Sequence, residues 1–137
     1  MDPHLVRAVE RALSRRQRLL DSTNALRLIN GQGDGLPGIT LDRFHRHFLI
    51  QTYSSRPAID PDLLAAYVTA HFPADFIILK DRTLQAGQCA QHARVLFAET
   101  GSTTEVTEHG LRFLVDLHDA VNPGLFQTAF DQGLLRR

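Results

Sequence analysis

Asn30-Gly-Gln-Gly-Asp-Gly-Leu-Pro-Gly-Ile-Thr-Leu-Asp-Arg-Phe44 is the stretch that decides the fold of this chain. Four glycines and one proline lie between Asn30 and Gly38, and glycine adopts positive φ without steric cost. Pro37-Gly38 is typical of a type II turn, with proline at the first central position and glycine at the second, where φ is positive. The flanking segments, residues 25–29 and 39–42, alternate between two faces as strands do. The stretch therefore predicts two strands joined by a tight, irregular loop.

The glycine-rich loop is interpreted as a structural element. A phosphate-binding P-loop needs Gly-Lys-Ser/Thr at the start of a helix, and a dinucleotide-binding fold has its glycines at a strand-to-helix turn. Here an alternating, β-branched segment follows the loop, so a strand succeeds it and nucleotide binding is not expected. The residues given a structural role are Gly31, Gly33, Asp34, Gly35, Pro37, Gly38 and Asp42.

Length and composition are those of a single globular domain. The 137 residues are 43% apolar and 22% charged with a formal net charge of zero, so no overall field attracts the chain to nucleic acid or to a membrane. The single cysteine, Cys89, excludes an internal disulfide and a zinc site built from cysteines. No apolar run approaches the roughly 20 residues of a membrane span, and the start of the chain lacks a signal-peptide pattern. A reducing, cytoplasmic location fits this composition.

A helix is predicted from Pro3 to Leu20, with Asp2 as its N-cap. At about 100° per residue, one face of this helix is apolar and consists of Leu5, Val9, Leu13 and Leu20. The opposite face carries a stripe of arginines, which are Arg7, Arg11, Arg15 and Arg18. Such a stripe is either a solvated helix face or a phosphate-contacting surface, because guanidinium offers a planar fork of donors to phosphate oxygens.

The rest of the chain predicts a mixed α+β domain. In the first strand, Ala25, Arg27 and Ile29 are expected on one face and the two leucines between them on the other. After the second strand, the predicted elements are a third strand at 48–53, an amphipathic helix at 59–72, strands at 76–79 and 94–97, and a hairpin of 105–108 with 111–117. Residues 80–92 and 101–104 are interpreted mostly as loop, and a last helical segment starts at Thr128 or Asp131. The expected fold is an N-terminal amphipathic helix, a small mixed or antiparallel sheet of strand-strand-strand-helix-strand order, and a C-terminal hairpin.

The sequence shows no constellation of catalytic or metal-ligating residues. The seven histidines lack the His-x-x-x-His and His-Glu-x-x-His spacings that aim two imidazoles from one helix face, so no metal site is expected. Cys89 lacks the local cysteine–histidine pairing of a nucleophile. Asp42, Asp116 and Asp119 do not define an acid–base pair. Taken alone, the chain is not expected to be an enzyme.

Two segments resemble a known family. Residues 22–44, Ser-Thr-Asn-Ala-Leu-Arg-Leu-Ile-Asn-Gly-Gln-Gly-Asp-Gly-Leu-Pro-Gly-Ile-Thr-Leu-Asp-Arg-Phe, resemble the stretch D-T-N-A-x-R-L-x-N-G-E-G-D-G-L-P-G-L-x-x-D-R-[YF] of RlmI-type SAM-dependent rRNA methyltransferases, which act on carbon 5 of cytosine. Residues 106–116 resemble the V-x-E-x-G-x-x-F-x-V-D hairpin of that family, and Asn122–Phe126 resembles its [KN]-[TP]-G-x-F continuation. Order and spacing agree, so the resemblance extends from about Ser22 to the end of the chain.

The resemblance implies a strand-rich accessory domain, of strand-strand-helix-strand-strand type, that precedes a Rossmann-like catalytic domain and often follows an RNA-binding PUA domain. It divides the chain into an N-terminal helix (1–21), the accessory domain (22–117) and a segment leading toward the catalytic domain (118–137). S-adenosyl-L-methionine (SAM) would be the cofactor of the parent protein and rRNA its partner, whereas this chain itself is expected to bind no cofactor. The catalytic cysteine of the family lies beyond the matched region, so Cys89 is not its counterpart.

The C-terminal segment departs from the family pattern. The family follows G-x-F directly with L-D-Q-R-x-x-R, whereas here Asp131-Gln132 comes three residues late and Gly133 stands in place of arginine. The resemblance nevertheless implies that this segment borders a SAM pocket, through Phe126, Gln127, Asp131 and Gln132.

Two functions remain open from the sequence. The chain is either the accessory, substrate-positioning and RNA-binding domain of a class I SAM-dependent RNA methyltransferase, or a stand-alone non-catalytic interaction domain from a truncated gene. A small metal- or nucleotide-binding enzyme is the least favoured reading. The coding sequence beyond Arg137 discriminates between the first two, because a following strand and glycine-rich turn would indicate a catalytic domain.

Overall fold

The computed structural model describes residues 2–17, 23–84, 93–108 and 110–118. This part of the chain forms two helices, a short 3-10 turn and two sheets. In chain order the elements are α1 (Pro3–Arg16), β1 (Ala25–Asn30), the 3-10 turn (Gly31–Asp34), β2 (Ile39–Phe44), β3 (His47–Thr52), α2 (Pro61–His71), β4 (Phe76–Asp81), β5 (Arg94–Ala98), β6 (Thr103–Glu108) and β7 (Leu111–Asp116).

The strands form a larger sheet of five and a separate antiparallel hairpin. The larger sheet has the order β1-β2-β3-β4-β5, and the hairpin pairs β6 with β7. Neighbours in the larger sheet are antiparallel except β3 and β4, which are parallel because α2 provides the crossover between them. The predicted α+β class, with an N-terminal helix, a mixed sheet and a C-terminal hairpin, is confirmed.

The two faces of the larger sheet are covered by different elements. Both helices pack on one face, where small and branched residues of α1 and α2 meet the sheet; these are Ala8, Val9, Ala12, Leu64, Ala65 and Val68. The hairpin covers part of the opposite face through Val106 and Val115. In α1 the fully buried residues are Ala8, Val9 and Ala12, and the partly buried Leu5 and Leu13 pack beside them. The opposite side of α1, which carries the arginines, is exposed.

The glycine loop adopts the conformation that its residues predict. Gly38 has φ of 83°, which confirms the expected positive φ, and Gly35 caps the 3-10 turn in the left-handed region with φ of 72°. The carbonyls of Pro37 and Gly38 accept backbone hydrogen bonds from Ala58 and Tyr53, each at 2.9 Å. The loop therefore packs against the segment that connects β3 with α2.

The side chains of β1 do not alternate as predicted. A bulge between Arg27 and Ile29 shifts the register of β1 on β2. A bulge adds one residue to one strand and turns the following side chains to the other face. Leu28 and Ile29 are consequently both buried in the core on the helix side.

Several boundaries also differ from the sequence prediction, most of them by one or two residues. β4 extends to Asp81, because Lys80 and Asp81 pair with the last residues of β3, and β6 begins at Thr103. α2 begins at Pro61, since the Asp60 side chain caps it by accepting the N–H of Asp62 at 2.9 Å. The predicted continuation of α1 to Leu20 and the helical segment near Thr128 lie outside the described residues.

Candidate nucleic-acid interface

A buried carboxylate holds α1 on the glycine loop. Asp34 is 4% exposed, and its Oδ1 accepts from Arg16 Nη1 at 3.1 Å and lies 3.0 Å from Arg15 Nη2. Its Oδ2 accepts the backbone N–H of Asn30 at 2.6 Å and lies 3.0 Å from Arg16 Nη2. Asp34, assigned to the loop from the sequence, thus also fixes the C-terminal end of α1.

The outward face of α1 brings together three of the four predicted arginines. Arg7, Arg11 and Arg15 are exposed and line an open cavity of about 550 Å³ with Glu10 and Ser14. We call these three arginines the basic face. Arg7 Nη2 lies 3.0 Å from His4 Nδ1 and Arg15 is paired with Asp34, whereas Arg11 has no ion-pair partner among the described residues. The fourth arginine, Arg18, lies outside the described residues.

A second, smaller groove lies beside the basic face, between α1 and the end of α2. It has a volume of about 250 Å³ and is lined by Leu13, Ser14, Gln17, Leu28 and Phe72. We call it the aromatic groove. Ser14 lines both cavities, so the aromatic groove is adjacent to the basic face.

Arg43, at the end of β2, is a cation that the sequence analysis missed. Its guanidinium carbon lies 5.4 Å from the ring centroid of Phe72 and 5.8 Å from that of Phe48, and its Nε donates to the carbonyl of His45 at 2.7 Å. Burial, followed by the nearby positive charge of Arg46, lowers the pKa of Arg43 from its usual value. A guanidinium stacked on aromatic rings remains charged at neutral pH. The only feature of the sequence that could have drawn attention to Arg43 is its place in the motif Asp42-Arg43-Phe44.

The β2–β3 turn contains a second cation close to Arg43, which is Arg46. His45 occupies the turn with φ of 60°, and its pKa is lowered, first by burial and then by the charges of Arg43 and Arg46. Since the ordinary pKa of histidine is about 6.5, the lowered value keeps His45 neutral at pH 7. Arg46 in turn donates to both carboxylate oxygens of Asp75, at 2.9 and 3.1 Å.

The hairpin-side face of the sheet contains a buried polar cluster. Asp42, which is 0% exposed, accepts from Arg27 Nε at 2.7 Å and from Arg27 Nη2 at 3.2 Å. Gln51 donates to Asp42 Oδ2 at 3.2 Å and accepts from Arg82 Nε at 2.5 Å. The cluster links β1, β2, β3 and the end of β4, and the bidentate pair makes Asp42 a cross-strand anchor.

The described residues contain no cluster of metal-ligating side chains. No group of three or more His, Cys, Asp or Glu side chains among them is arranged to hold a metal ion. Within the same ranges, no helix is long and apolar enough to cross a membrane. Cys89 and the four residues proposed to border a SAM pocket, Phe126, Gln127, Asp131 and Gln132, lie outside the described residues.

Comparison with known sequences finds relatives among rRNA methyltransferases, although no protein-family model matches the chain. The chain is 28% identical over 124 residues to ribosomal RNA large subunit methyltransferase I of Klebsiella pneumoniae, a match that covers 85% of this chain and 30% of the relative. It is 32% identical over 107 residues to the "putative ribosomal RNA large subunit methyltransferase YwbD" of Bacillus subtilis, covering 76% of this chain and 27% of the relative. The chain thus spans less than a third of each of these curated relatives.

Solved structures share the fold. "A putative SAM-dependent methyltransferase from Streptococcus mutans" superposes with a TM-score of 0.75 at 21% identity, covering 96% of this chain and 34% of that protein. A second "putative methyltransferase complexed with SAH" superposes with a TM-score of 0.68 at 22% identity, covering 85% of this chain and 30% of that protein. The chain is therefore similar in sequence to one part of rRNA large subunit methyltransferases and similar in fold to one part of two methyltransferase structures.

Proposed function

We propose that this chain is the accessory, RNA-binding and substrate-positioning domain of a class I SAM-dependent RNA methyltransferase of the cytoplasm, with cytosine carbon 5 of rRNA as the target. The observation that carries the proposal is the basic face: three arginines on one exposed helix face, in a chain of zero net charge. The similarity to rRNA methyltransferases supports RNA as the polymer that this face contacts. SAM would bind to the catalytic part of the parent protein.

The chemistry of the basic face suits backbone phosphates. Arginine presents a planar fork of donors that matches phosphate oxygens, and contacts of this kind fix the position of a nucleic acid without reading its sequence. Asp34 holds α1 against the glycine loop through Arg15 and Arg16, so the arginines are presented by an element that is fixed to this loop. In this proposal α1 orients the RNA, and the chemistry takes place on the catalytic domain.

The alternative is a stand-alone, non-catalytic interaction domain. The hairpin favours it in one respect, because Leu114 is 77% exposed and Leu111 is 45% exposed on β7. Contiguous exposed apolar patches mark contacts with other proteins, and in this alternative the two leucines belong to one. The two functions differ in what the basic face does, because only the first requires it to contact RNA.

Replacing Arg11 and Arg15 together by Gln should weaken binding of single-stranded RNA and flatten its salt dependence. Each phosphate neutralised on a single strand contributes about −0.7 to the slope of log K against log salt concentration. The double variant should therefore flatten that slope by roughly 1 to 1.5, and affinity for all RNA sequences should fall alike. Fluorescence anisotropy of a labelled oligonucleotide over a series of salt concentrations measures both quantities.

The matched control for this experiment is the double variant Arg56→Gln/Arg112→Gln. It removes the same charge from the loop after β3 and from β7, where Arg112 pairs with Glu105 at 3.2 Å. Its slope and affinity should equal those of the unmodified chain. If the α1 variant also keeps the original slope and affinity, the basic face is only a solvated helix surface.

The chain alone should show no binding of SAM at micromolar concentrations. A SAM pocket of the Rossmann type needs a glycine turn between a strand and a helix. Within the described residues, the one strand-to-helix connection, between β3 and α2, contains Ser54-Ser-Arg-Pro57 and no glycine. Calorimetric titration of SAM into the chain tests this expectation, and a micromolar dissociation constant would contradict it.

A further inference from the structure

The aromatic groove has the size and the chemistry of a site for one flat ring system. Its volume of about 250 Å³ is below the roughly 300–1,000 Å³ of pockets that enclose drug-sized ligands, so it suits one ring system better than a whole nucleotide. Leu28 and Phe72 form an apolar floor, on which a planar ring can pack. Ser14 and Gln17 are exposed at its rim and supply a hydroxyl and an amide, which can donate and accept hydrogen bonds.

Two of the residues that line the groove are close to cations. Ser14 also lines the cavity of the basic face, where Arg11 has no ion-pair partner among the described residues. Phe72 is in contact with the guanidinium of Arg43, 5.4 Å from the ring centroid. Arg43 likewise has no carboxylate partner in the described part of the chain. A polymer with a negative charge at each step and a ring between the charges fits this alternation of cation, apolar groove and cation.

We propose that the aromatic groove binds one unpaired nucleobase of single-stranded RNA, whose flanking phosphates contact Arg11 on one side and Arg43 on the other. This proposal rests on the proposed function, and it specifies an unstacked, single-stranded segment as the form of RNA that the chain holds. Unpaired bases are recognised by stacking on aromatic side chains, which tolerates any base, and by hydrogen bonds to their edges. Phe72 supplies the first kind of contact, and Gln17 and Ser14 supply the second.

The test compares two single strands of equal charge. One is a fluorescein-labelled oligouridine of about twelve nucleotides, within the roughly 4–16 nucleotides that single-strand-binding modules cover. The other is an abasic ribose-phosphate strand of the same length. The unmodified chain should bind the oligouridine about tenfold more tightly, because one stacked base contributes a factor of this order. Equal affinity for the two strands would overturn the nucleobase site.

Variants of the groove locate the base contact. Phe72→Leu keeps an apolar side chain but removes the ring, and it should abolish the preference for oligouridine while leaving affinity for the abasic strand unchanged. Because Phe72 also packs on Phe48, with ring centroids 5.5 Å apart, Gln17→Ala provides a second variant on an exposed side chain. Gln17→Ala should reduce the preference several-fold without changing the melting temperature. If both variants retain the full preference, the base is bound elsewhere and the proposal fails.

Two further controls separate this proposal from the proposed function. Tyr53→Leu removes another aromatic ring, 50% exposed and at the opposite end of β3 from Phe48, and should leave both affinities unchanged. Arg11→Gln should lower the affinity for the oligouridine and for the abasic strand by the same factor, because it removes a phosphate contact. A chain that binds both strands equally, with a steep salt dependence, would overturn the base site and leave the phosphate-binding role intact. A chain that binds neither strand would overturn both.

Discussion

Asp42→Ala should lower the free energy of unfolding by about 3–5 kcal/mol. Asp42 is fully buried, and Arg27 donates to both of its oxygens, at 2.7 and 3.2 Å. Removal of one partner from a buried ion pair is costly because the other charge stays buried without it. The Gln51 amide loses an acceptor at the same time. Urea denaturation followed by circular dichroism measures the change.

Two comparisons identify the cause of this loss. Asp42→Asn keeps the shape but removes the negative charge, so it should be destabilising to nearly the same degree. Asp62→Asn is the exposed control, because Asp62 and Arg94 form a pair at 3.4 Å with both side chains more than half exposed. Exposed pairs contribute little, so this change should stay within about 0.5 kcal/mol. A change at Asp42 as small as that at Asp62 would show that the cluster does not anchor the sheet.

Gly38→Val should destabilise the chain by about 3 kcal/mol, through strain and steric overlap together. Gly38 has φ of 83°, a conformation that a β-branched residue adopts only with strain. A Cβ at this position would lie 3.0 Å from Cβ of Ser54 and 3.3 Å from Cα of Pro57, where the second neighbour is backbone that cannot turn aside. The melting temperature and the urea midpoint report the loss.

Two other glycines of the loop provide matched controls. At Gly33 φ is not positive and a Cβ would meet nothing within 4 Å. Gly33→Val therefore replaces glycine by valine without strain or overlap, and it should be nearly neutral. At Gly35 φ is 72° but the surrounding space is open, so Gly35→Ala measures strain without overlap and should cost about 1 kcal/mol. If Gly38→Val is no worse than Gly33→Val, the conformation assigned to the loop is wrong.

The features that the sequence predicted well depend on local chemistry. The positive φ at Gly38 follows from the neighbouring proline and the absence of a side chain, and the N-cap at Asp2 follows from a carboxylate placed before Pro3. The β2–β3 turn at His45-Arg46 is likewise set by a few adjacent residues. Such signals need no knowledge of the rest of the chain, and for this reason the order of elements and the fold class could be predicted.

The features that the sequence could not predict depend on distant partners. β4 reaches Lys80 and Asp81 because these residues pair in parallel with Gln51 and Thr52, a partnership invisible in the composition of residues 80–92. The bulge at Leu28 is a property of the β1–β2 ladder rather than of β1. Pairing across strands thus overrode the simple alternation from which the faces of β1 were predicted.

In the candidate site, too, the sequence predicted what depends on one helix and not what depends on contacts between distant segments. Helical periodicity placed Arg7, Arg11 and Arg15 on one face, and the structure brings them together around one cavity. Periodicity could not show that Arg15 is partly engaged by Asp34 or that Arg43 lies on Phe72, because these contacts join segments far apart in the chain. The roles of Arg18 and of the segment from Phe126 to Gln132 stay predictions.

The carboxylate of Asp34 also determines how the molecule opens. It joins the last turn of α1 to a loop 18 residues further along the chain, and it is buried while doing so. Unwinding that turn separates Arg15 and Arg16 from the carboxylate. Fraying of this helix end therefore costs more free energy than fraying of a free terminus. We therefore expect the last turn of α1 and the turn Gly31–Asp34 to open as one cooperative unit. Hydrogen exchange measures this, and amide protons in both turns should then exchange at a common rate.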